Sequence, residues 1–248
     1  MPAPAAAALS QIARMTFDQV RSRPRVGMIN PALFRTGSML LGGVQPVDYP
    51  AYIDGICGAI SSAWTAWHGA ATLVGVIINA VTANGGQVVG PPLTPLILAG
   101  GPKDSAKTMK LTNVIANVLG TAFLTTTSTI KVPGLPWYPS FAAVPAPVAP
   151  PTPNIPCPLA ALIMVRANIG RQVLKMQMLG QLGSPGGDDE NLLDAIAATF
   201  AQNFDLWIVS TMVTNVLGTG PVPTFAPPYV PVGPVVGGVG TMVPGGFA

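Results

Sequence analysis

Residues 123–141, FLTTTSTIKVPGLPWYPSF, align without a gap on residues 207–225, WIVSTMVTNVLGTGPVPTF, at an offset of 84 residues. One threonine, one valine, one glycine, one proline and one phenylalanine are identical between the two segments. A weaker third copy aligns residues 52–67, YIDGICGAISSAWTAW, with residues 192–207, LLDAIAATFAQNFDLW. Similarity at a fixed offset is typical of tandem structural units, so the sequence predicts an internal repeat.

Each copy predicts the same order of elements. A turn with an acidic residue comes first, and a stretch of about 15–18 residues with helical apolar spacing follows. A Thr/Val/Ser run then favours a strand, and a Gly- and Pro-rich stretch favours extended chain along an edge. An additional helix is predicted over residues 158–182. We therefore expect an α+β fold of tandem helix–strand–Pro/Gly-arm repeats with extended, non-compact connections.

The same pattern predicts four units along the chain. The first is a basic N-terminal arm over residues 1–45, and the first repeat unit covers residues 46–103. The second unit, residues 104–187, includes a proline-rich spacer and the additional helix. The third unit, residues 188–248, ends in a Pro/Gly-rich C-terminal arm.

Charged residues are scarce and unevenly distributed. They make up 8% of the 248 residues, whereas 49% are hydrophobic and 28 each are Gly and Pro. The segments 55–102, 132–165 and 206–248 contain no Asp, Glu, Lys or Arg. An isolated soluble domain normally carries far more surface charge. We therefore expect other protein chains or lipid to cover much of the surface.

A membrane-associated or pore-forming protein is the alternative interpretation. The run from Ile56 to Val81 has the length of a membrane span. It is interrupted by polar residues, which are Ser61, Ser62, Thr65, His68, Thr72 and Asn79. Prolines break residues 206–248, and irregular backbone is not tolerated against lipid. Burial against fellow subunits explains the composition better, because interface cores are depleted of charge.

The predicted N-terminal arm is basic. It contains one acid, Asp18, against five arginines, which are Arg14, Arg21, Arg23, Arg25 and Arg35. Such an arm could contact nucleic acid, anionic lipid or an acidic neighbouring subunit. A solvated or partner-docked tail is the preferred interpretation, since no stacking surface of aromatic residues is evident.

The sequence predicts no catalytic, cofactor-binding or metal site, and we do not expect an enzyme. His68 is the only histidine, and no nucleophile pairs with it in the sequence pattern. The adjacent acids Asp188, Asp189 and Glu190 could hold a cation, but the start of a helix is the preferred interpretation.

The cysteines and the large aromatic residues are expected to be structural. Cys57 and Cys157 lie outside any metal-binding spacing, so buried free thiols are predicted. The aromatic residues at predicted helix ends are expected to anchor the core, and they are Trp64, Trp67, Phe123 and Trp207.

The segment 186–223, with an alanine-rich helix DAIAATFAQNF, a Thr/Val strand and then VLGTGPVP, resembles small structural virion proteins of tailed bacteriophages and of phage-derived contractile injection systems. By duplication the resemblance extends to residues 104–139. It implies a component of a tail, baseplate or capsid-associated layer, in a particle assembled in the host cytoplasm. Copies of the chain itself and other structural subunits would be its partners. The resemblance implies no binding residues and does not cover the first 45 residues.

Overall fold

The computed structural model describes residues 3–22, 47–226 and 230–248, and within them the chain has an α+β fold. The helices are α1 (Ala6–Arg21), α2 (Tyr49–Ala70), α3 (Leu93–Gly100), α4 (Ala106–Thr127), α5 (Arg171–Leu182) and α6 (Asp189–Ser210). The strands are β1 (Thr72–Asn79), β2 (Thr82–Val89), β3 (Val132–Leu135), β4 (Val148–Pro153), β5 (Cys157–Pro158), β6 (Met212–Val213), β7 (Val216–Pro221), β8 (Phe225–Ala226), β9 (Val230–Pro231) and β10 (Gly238–Met242).

The helices α2, α4 and α6 are each 22 residues long, and each begins at a recognisable sequence signal. The Asp48 side chain accepts a hydrogen bond from the Ala51 amide at the start of α2. Ser105 and Thr108 form a reciprocal capping box at the start of α4. Such caps satisfy backbone amides that have no partner within the helix.

These three helices are longer than the 15–18 residues expected. In α4 and α6 the reason is that the Thr/Val/Ser run after the aromatic residue continues the helix. In α4 the Thr127 hydroxyl donates to the Phe123 carbonyl one turn earlier. This bond satisfies a polar group that would otherwise favour a non-helical backbone. Strand preference therefore takes effect only after Thr127 in α4 and after Ser210 in α6.

Six strands form one antiparallel sheet in the order β3-β2-β1-β10-β7-β4. The edge strands β3 and β4 contain prolines, as expected of chain that cannot donate every backbone hydrogen bond. Two small two-stranded sheets, β5-β6 and β8-β9, complete the strand pairing in the described residues.

The C-terminal Gly-rich segment is not an outward arm, which corrects the expectation of extended, non-compact connections. Its residues 238–242 form β10, which lies between β1 and β7 inside the sheet. Glycine makes this possible, because a Cβ atom on Gly220 of β7 would lie 2.4 Å from the Cα of Gly238. The segment is Gly-rich because neighbouring chain approaches it closely.

The N-terminal 1–45 segment is not wholly an arm. Residues 6–21 form α1, whose Leu9, Ala13 and Phe17 are buried in the core. Their spacing of four residues places them on one face of the helix, a pattern masked in the sequence by the surrounding alanines. Residues 23–46, which include Arg23, Arg25 and Arg35, lie outside the described residues.

The additional helix predicted over residues 158–182 is shorter than expected. Residues 159–161 and 167–169 form 3₁₀ turns, and only Arg171–Leu182 is α-helical. Between the turns, Ile163 forms an isolated antiparallel bridge with Lys131, next to β3. This pairing uses backbone groups that a continuous helix would need for itself.

The internal repeat stays a prediction. Helix α2 leads into β1 and α4 leads into β3, both in the six-stranded sheet, whereas α6 leads into β6 of a two-stranded sheet before the chain enters β7. However, β3 is an edge strand, whereas β1 and β7 lie inside the sheet. The unit boundaries at residues 46, 104 and 188 are likewise untested, and the sheet takes strands from all three units.

Candidate interaction surface

Charge is separated from the sheet. Every described strand lies in one of the segments without Asp, Glu, Lys or Arg. The charged residues that the structure describes lie on the helices or in the connections next to them. Because α2, α4 and α6 run in the same direction, their N-termini form a charged end and their C-termini lead into the uncharged sheet.

One face of the sheet is covered by the chain itself. Val76 and Ile78 of β1 are fully buried on this face, together with Met242 of β10. The ring of Tyr138 stacks on Phe141 at 5.1 Å between centroids, and the Tyr138 hydroxyl donates to the Val216 carbonyl at 2.8 Å. Burial raises the pKa of the Tyr138 phenol, so this hydroxyl stays protonated and remains a donor.

The opposite face of the sheet, which we call the open face, is exposed and uncharged. The strand register places Ile77 of β1 directly beside Val239 of β10, and their side chains are 52% and 56% exposed. The other residues that alternate onto this face are Asn84 of β2, Val148 of β4, Leu217 and Thr219 of β7, and Thr241 of β10. The open face therefore combines exposed apolar side chains with uncharged polar ones.

Strand addition at the sheet edges is hindered by proline. Pro133 lies in β3, and Pro150, Pro151 and Pro153 lie in β4. Proline has no backbone N–H to donate to an added strand. The prolines therefore reduce the number of backbone donors that either edge of the sheet could offer to an added strand.

A polar cluster at the charged end joins the N-termini of α2, α4 and α6. The Tyr49 hydroxyl donates to the Asp189 carboxylate at 2.8 Å, and the Lys107 ammonium lies 3.0 Å from the same oxygen. The other Asp189 oxygen accepts from the Gly186 amide at 2.8 Å. Burial and the Asp189 hydrogen bond raise the pKa of Tyr49, so the phenol is neutral and donates.

The three adjacent acids each pair with a cation from a different helix. Asp188 pairs with Arg21 of α1 at 3.3 Å, Asp189 with Lys107 of α4, and Glu190 with Lys175 of α5 at 2.9 Å. They lie at the start of α6, with Asp188 as the N-cap residue. Within the described ranges, no group of three or more His, Cys, Asp or Glu residues is arranged to hold a metal ion. The arrangement ties α1, α4, α5 and α6 together.

A second pairing fixes α5 on α6. Arg171 donates to Asp194 at 2.7 Å, and Lys175 lies 3.6 Å from the other carboxylate oxygen. Burial raises the pKa of Asp194, but the Arg171 hydrogen bond and the Lys175 charge outweigh it, so the pKa lies below its ordinary value. The carboxylate is therefore ionised at neutral pH although its side chain is largely buried.

His68 lies in the last turn of α2, half-buried beside the Phe247 ring. Burial lowers the pKa of its imidazole, so the ring is neutral at pH 7. Its Nε2 atom is buried and has no hydrogen-bond partner among the described residues.

The cysteines are free thiols, as predicted, but they differ in burial. Cys57 is a buried residue of α2, and burial raises the pKa of its thiol to about 12. Cys157 is only half-buried, in β5. A thiol with so high a pKa as that of Cys57 is not a nucleophile at neutral pH.

The prediction that the large aromatic residues anchor the core is confirmed. Trp64 lies 5.9 Å from Trp207, and Trp67 lies 4.7 Å from Phe123, as distances between ring centroids. The sequence reasoning missed Phe247, which is buried against Trp67 at 6.0 Å. This contact ties the C-terminal residues to the junction between helices and sheet.

The run from Ile56 to Val81 is not a membrane span. Helix α2 ends at Ala70, and β1 begins at Thr72. Among the described residues one helix, Asp189–Ser210, has the length and hydropathy of a membrane span, and 67% of its apolar window is buried inside the protein. The same properties fit a core helix, and α6 packs on α1, α2 and α5.

Comparison of the chain with family models, with curated proteins and with solved structures gives no match.

Proposed function

We propose that the chain is a non-enzymatic structural subunit of a large multi-protein assembly. The resemblance of residues 186–223 favours a phage virion or a phage-derived contractile injection particle, as part of a tail, baseplate or capsid-associated layer. The proposed partners are copies of the chain and other structural subunits. Such a particle is assembled in the cytoplasm of the host.

The uncharged open face of the sheet is the observation that carries this proposal. Ile77 and Val239 are side by side and more than half exposed, and no charged residue lies on any described strand. Water solvates such a face poorly, whereas the centre of a protein interface is depleted of charge in the same way.

The rest of the structure supports a structural role. The acids at the start of α6 are ion-paired with cations of other helices, and burial lowers the pKa of the His68 imidazole, which is neutral. The N-terminal helix α1 is packed into the core, and its Arg14 and Arg21 pair with Asp54 and Asp188. These two arginines are therefore engaged within the chain, and nucleic-acid contact through the N-terminal segment is the weaker part of the proposal.

Fractionation of the native source tests the proposal. An antibody against the chain should find it in a particle that pellets at high centrifugal force without detergent. Treatment of the pellet with mild detergent should leave the chain in the particle. Recovery only after detergent extraction would support the membrane alternative instead, and recovery as a free monomer of 25.3 kDa would contradict both.

A further inference from the structure

Building on the proposed function, we propose that the open face binds the open face of a second copy of the chain, so that two sheets pack face to face about a twofold axis. The axis would lie between the two sheets and pass over the neighbouring residues Ile77 and Val239. Packed sheets lie about 10 Å apart with interdigitating side chains. The interface would be isologous, with the same residues contributed by each copy.

The position of the exposed apolar residues supports a twofold contact. In the order β3-β2-β1-β10-β7-β4, the midline of the sheet falls between β1 and β10. Ile77 and Val239 are register partners across this midline, at Cα positions that face each other. An axis over the centre of a surface buries that surface equally in both copies, so the most apolar residues become the centre of the interface.

The residues next to this central pair are polar but uncharged. Asn84 and Thr219 flank the pair on β2 and β7, and both are partly or fully exposed. Their amide and hydroxyl groups can bond to water or to the second copy without a charge to desolvate. The outer strands add prolines, which block strand addition and leave face-on contact as the route of association.

Because the open face carries no charged residue, a partner surface that also lacks charge fits it best. A charged surface placed on the open face would lose its hydration without gaining an opposite charge. A second open face meets this requirement, because it carries isoleucine, valine, leucine, threonine and asparagine and no ionisable group.

The size of the face predicts the strength of the contact. Six strands about 4.8 Å apart span about 24 Å, and inner strands of five to eight residues are about 17–27 Å long. Each copy therefore contributes roughly 500 Å², and the pair about 1,000 Å², which is at the lower limit for a specific interface. We expect an isolated dimer that dissociates at micromolar concentration and is held more firmly within a particle by additional contacts.

Sedimentation velocity of the purified full-length chain over a range of concentrations tests this inference. The wild-type chain should shift from monomer to dimer as concentration rises, and Ile77→Lys should weaken the dimer at least about tenfold. The control Met176→Lys changes a side chain that is 63% exposed on α5, away from the sheet, and should leave the dimer unchanged. A monomer at all concentrations, a dimer that survives Ile77→Lys, or association only with a different subunit would overturn the inference.

Thiol crosslinking tests the geometry with a milder substitution. In a Cys157→Ser background, Val239→Cys should give a covalent dimer with a short bis-maleimide, whereas Met176→Cys should not. Equal crosslinking of both variants would contradict a twofold contact at the open face. If the chain is monomeric alone but pellets in the native particle, only the twofold contact fails. If the native chain is not in a particle, the proposed function fails as well.

Discussion

Glycines in the sheet determine how closely its strands pack on neighbouring chain. Gly220→Ala should lower the free energy of unfolding by about 1–3 kcal/mol, because its Cβ would meet Gly238 and Val235 at 2.4 and 2.6 Å. The matched control is Gly180→Ala on α5, where no atom lies within 4 Å of the new Cβ. The control should raise stability by up to about 1 kcal/mol, because alanine favours helix. Denaturant unfolding of both variants checks this, and an unchanged midpoint for Gly220→Ala would contradict the packing.

Asp189 is the residue on which the polar cluster depends. Asp189→Asn should cost about 1.5–3 kcal/mol of unfolding free energy, because the buried side chain loses its charge toward Lys107 and keeps only one oxygen to accept from Tyr49 or Gly186. The control Asp205→Asn breaks an exposed pair with Arg166 and should cost under about 0.5 kcal/mol. Equal midpoints for the two variants in thermal or denaturant unfolding would show that the cluster contributes nothing.

The lowered pKa of Asp194 makes the free energy of unfolding depend on pH in the acid range. Its pKa is lower in the folded protein than in the unfolded chain, so its contribution is present above the unfolded value of about 3.9. That contribution is lost as pH falls through the lower, folded pKa. Asp194→Asn should therefore be less stable than wild type at pH 7, and the difference should shrink below about pH 4. Unfolding curves from pH 7 to pH 2 measure this, and a constant difference would contradict it.

Helix α1 belongs to the segment predicted as an arm, but it packs into the core of the protein. Phe17 is fully buried and stacks on Tyr49 at 5.6 Å, so Phe17→Ala should cost about 3–5 kcal/mol. Met15 lies on the same helix and is half exposed, and Met15→Ala should cost under about 0.5 kcal/mol. Denaturant unfolding distinguishes the two, and a small effect of Phe17→Ala would mean that α1 is not docked in solution.

The elements differ in how far the sequence predicts them. The starts of α2 and α4 follow from local caps at Asp48 and Ser105, so they could be expected from residue type alone. The place of β10 could not, because its neighbours β1 and β7 are distant in sequence and the pairing depends on close approach to Gly220. The secondary-structure propensity of a residue depends on its neighbours in sequence, whereas strand order depends on packing between segments that are distant in sequence.

The candidate surface was predictable in kind but not in position. The charge-free segments predict an uncharged surface, and the described strands do come from those segments. They did not indicate that the strands from those segments share one sheet, or that Ile77 and Val239 meet at its midline. Alternation of Val76, Ile77 and Ile78 in β1 is hidden in the sequence because all three are apolar, although only Ile77 is exposed.

The whole molecule has a charged end, where the N-termini of the long helices are ion-paired, and an uncharged sheet. Ion pairs among α1, α4, α5 and α6 hold the helices to one another. The sheet has no such pairs in the described residues, and its open face has no partner from those parts of the chain. The stability of the fold and the capacity to assemble are therefore expected to reside at opposite ends.

Hydroxyl-radical footprinting of the native particle measures whether the open face becomes covered on assembly. Ile77, Leu217 and Val239 should be labelled in the dissociated, refolded chain and protected in the particle. Met176 serves as the internal reference for an apolar side chain outside the open face. We expect the labelling of the open face to fall on assembly. Equal labelling of Ile77 and Val239 in both states would contradict the proposal that assembly covers this face.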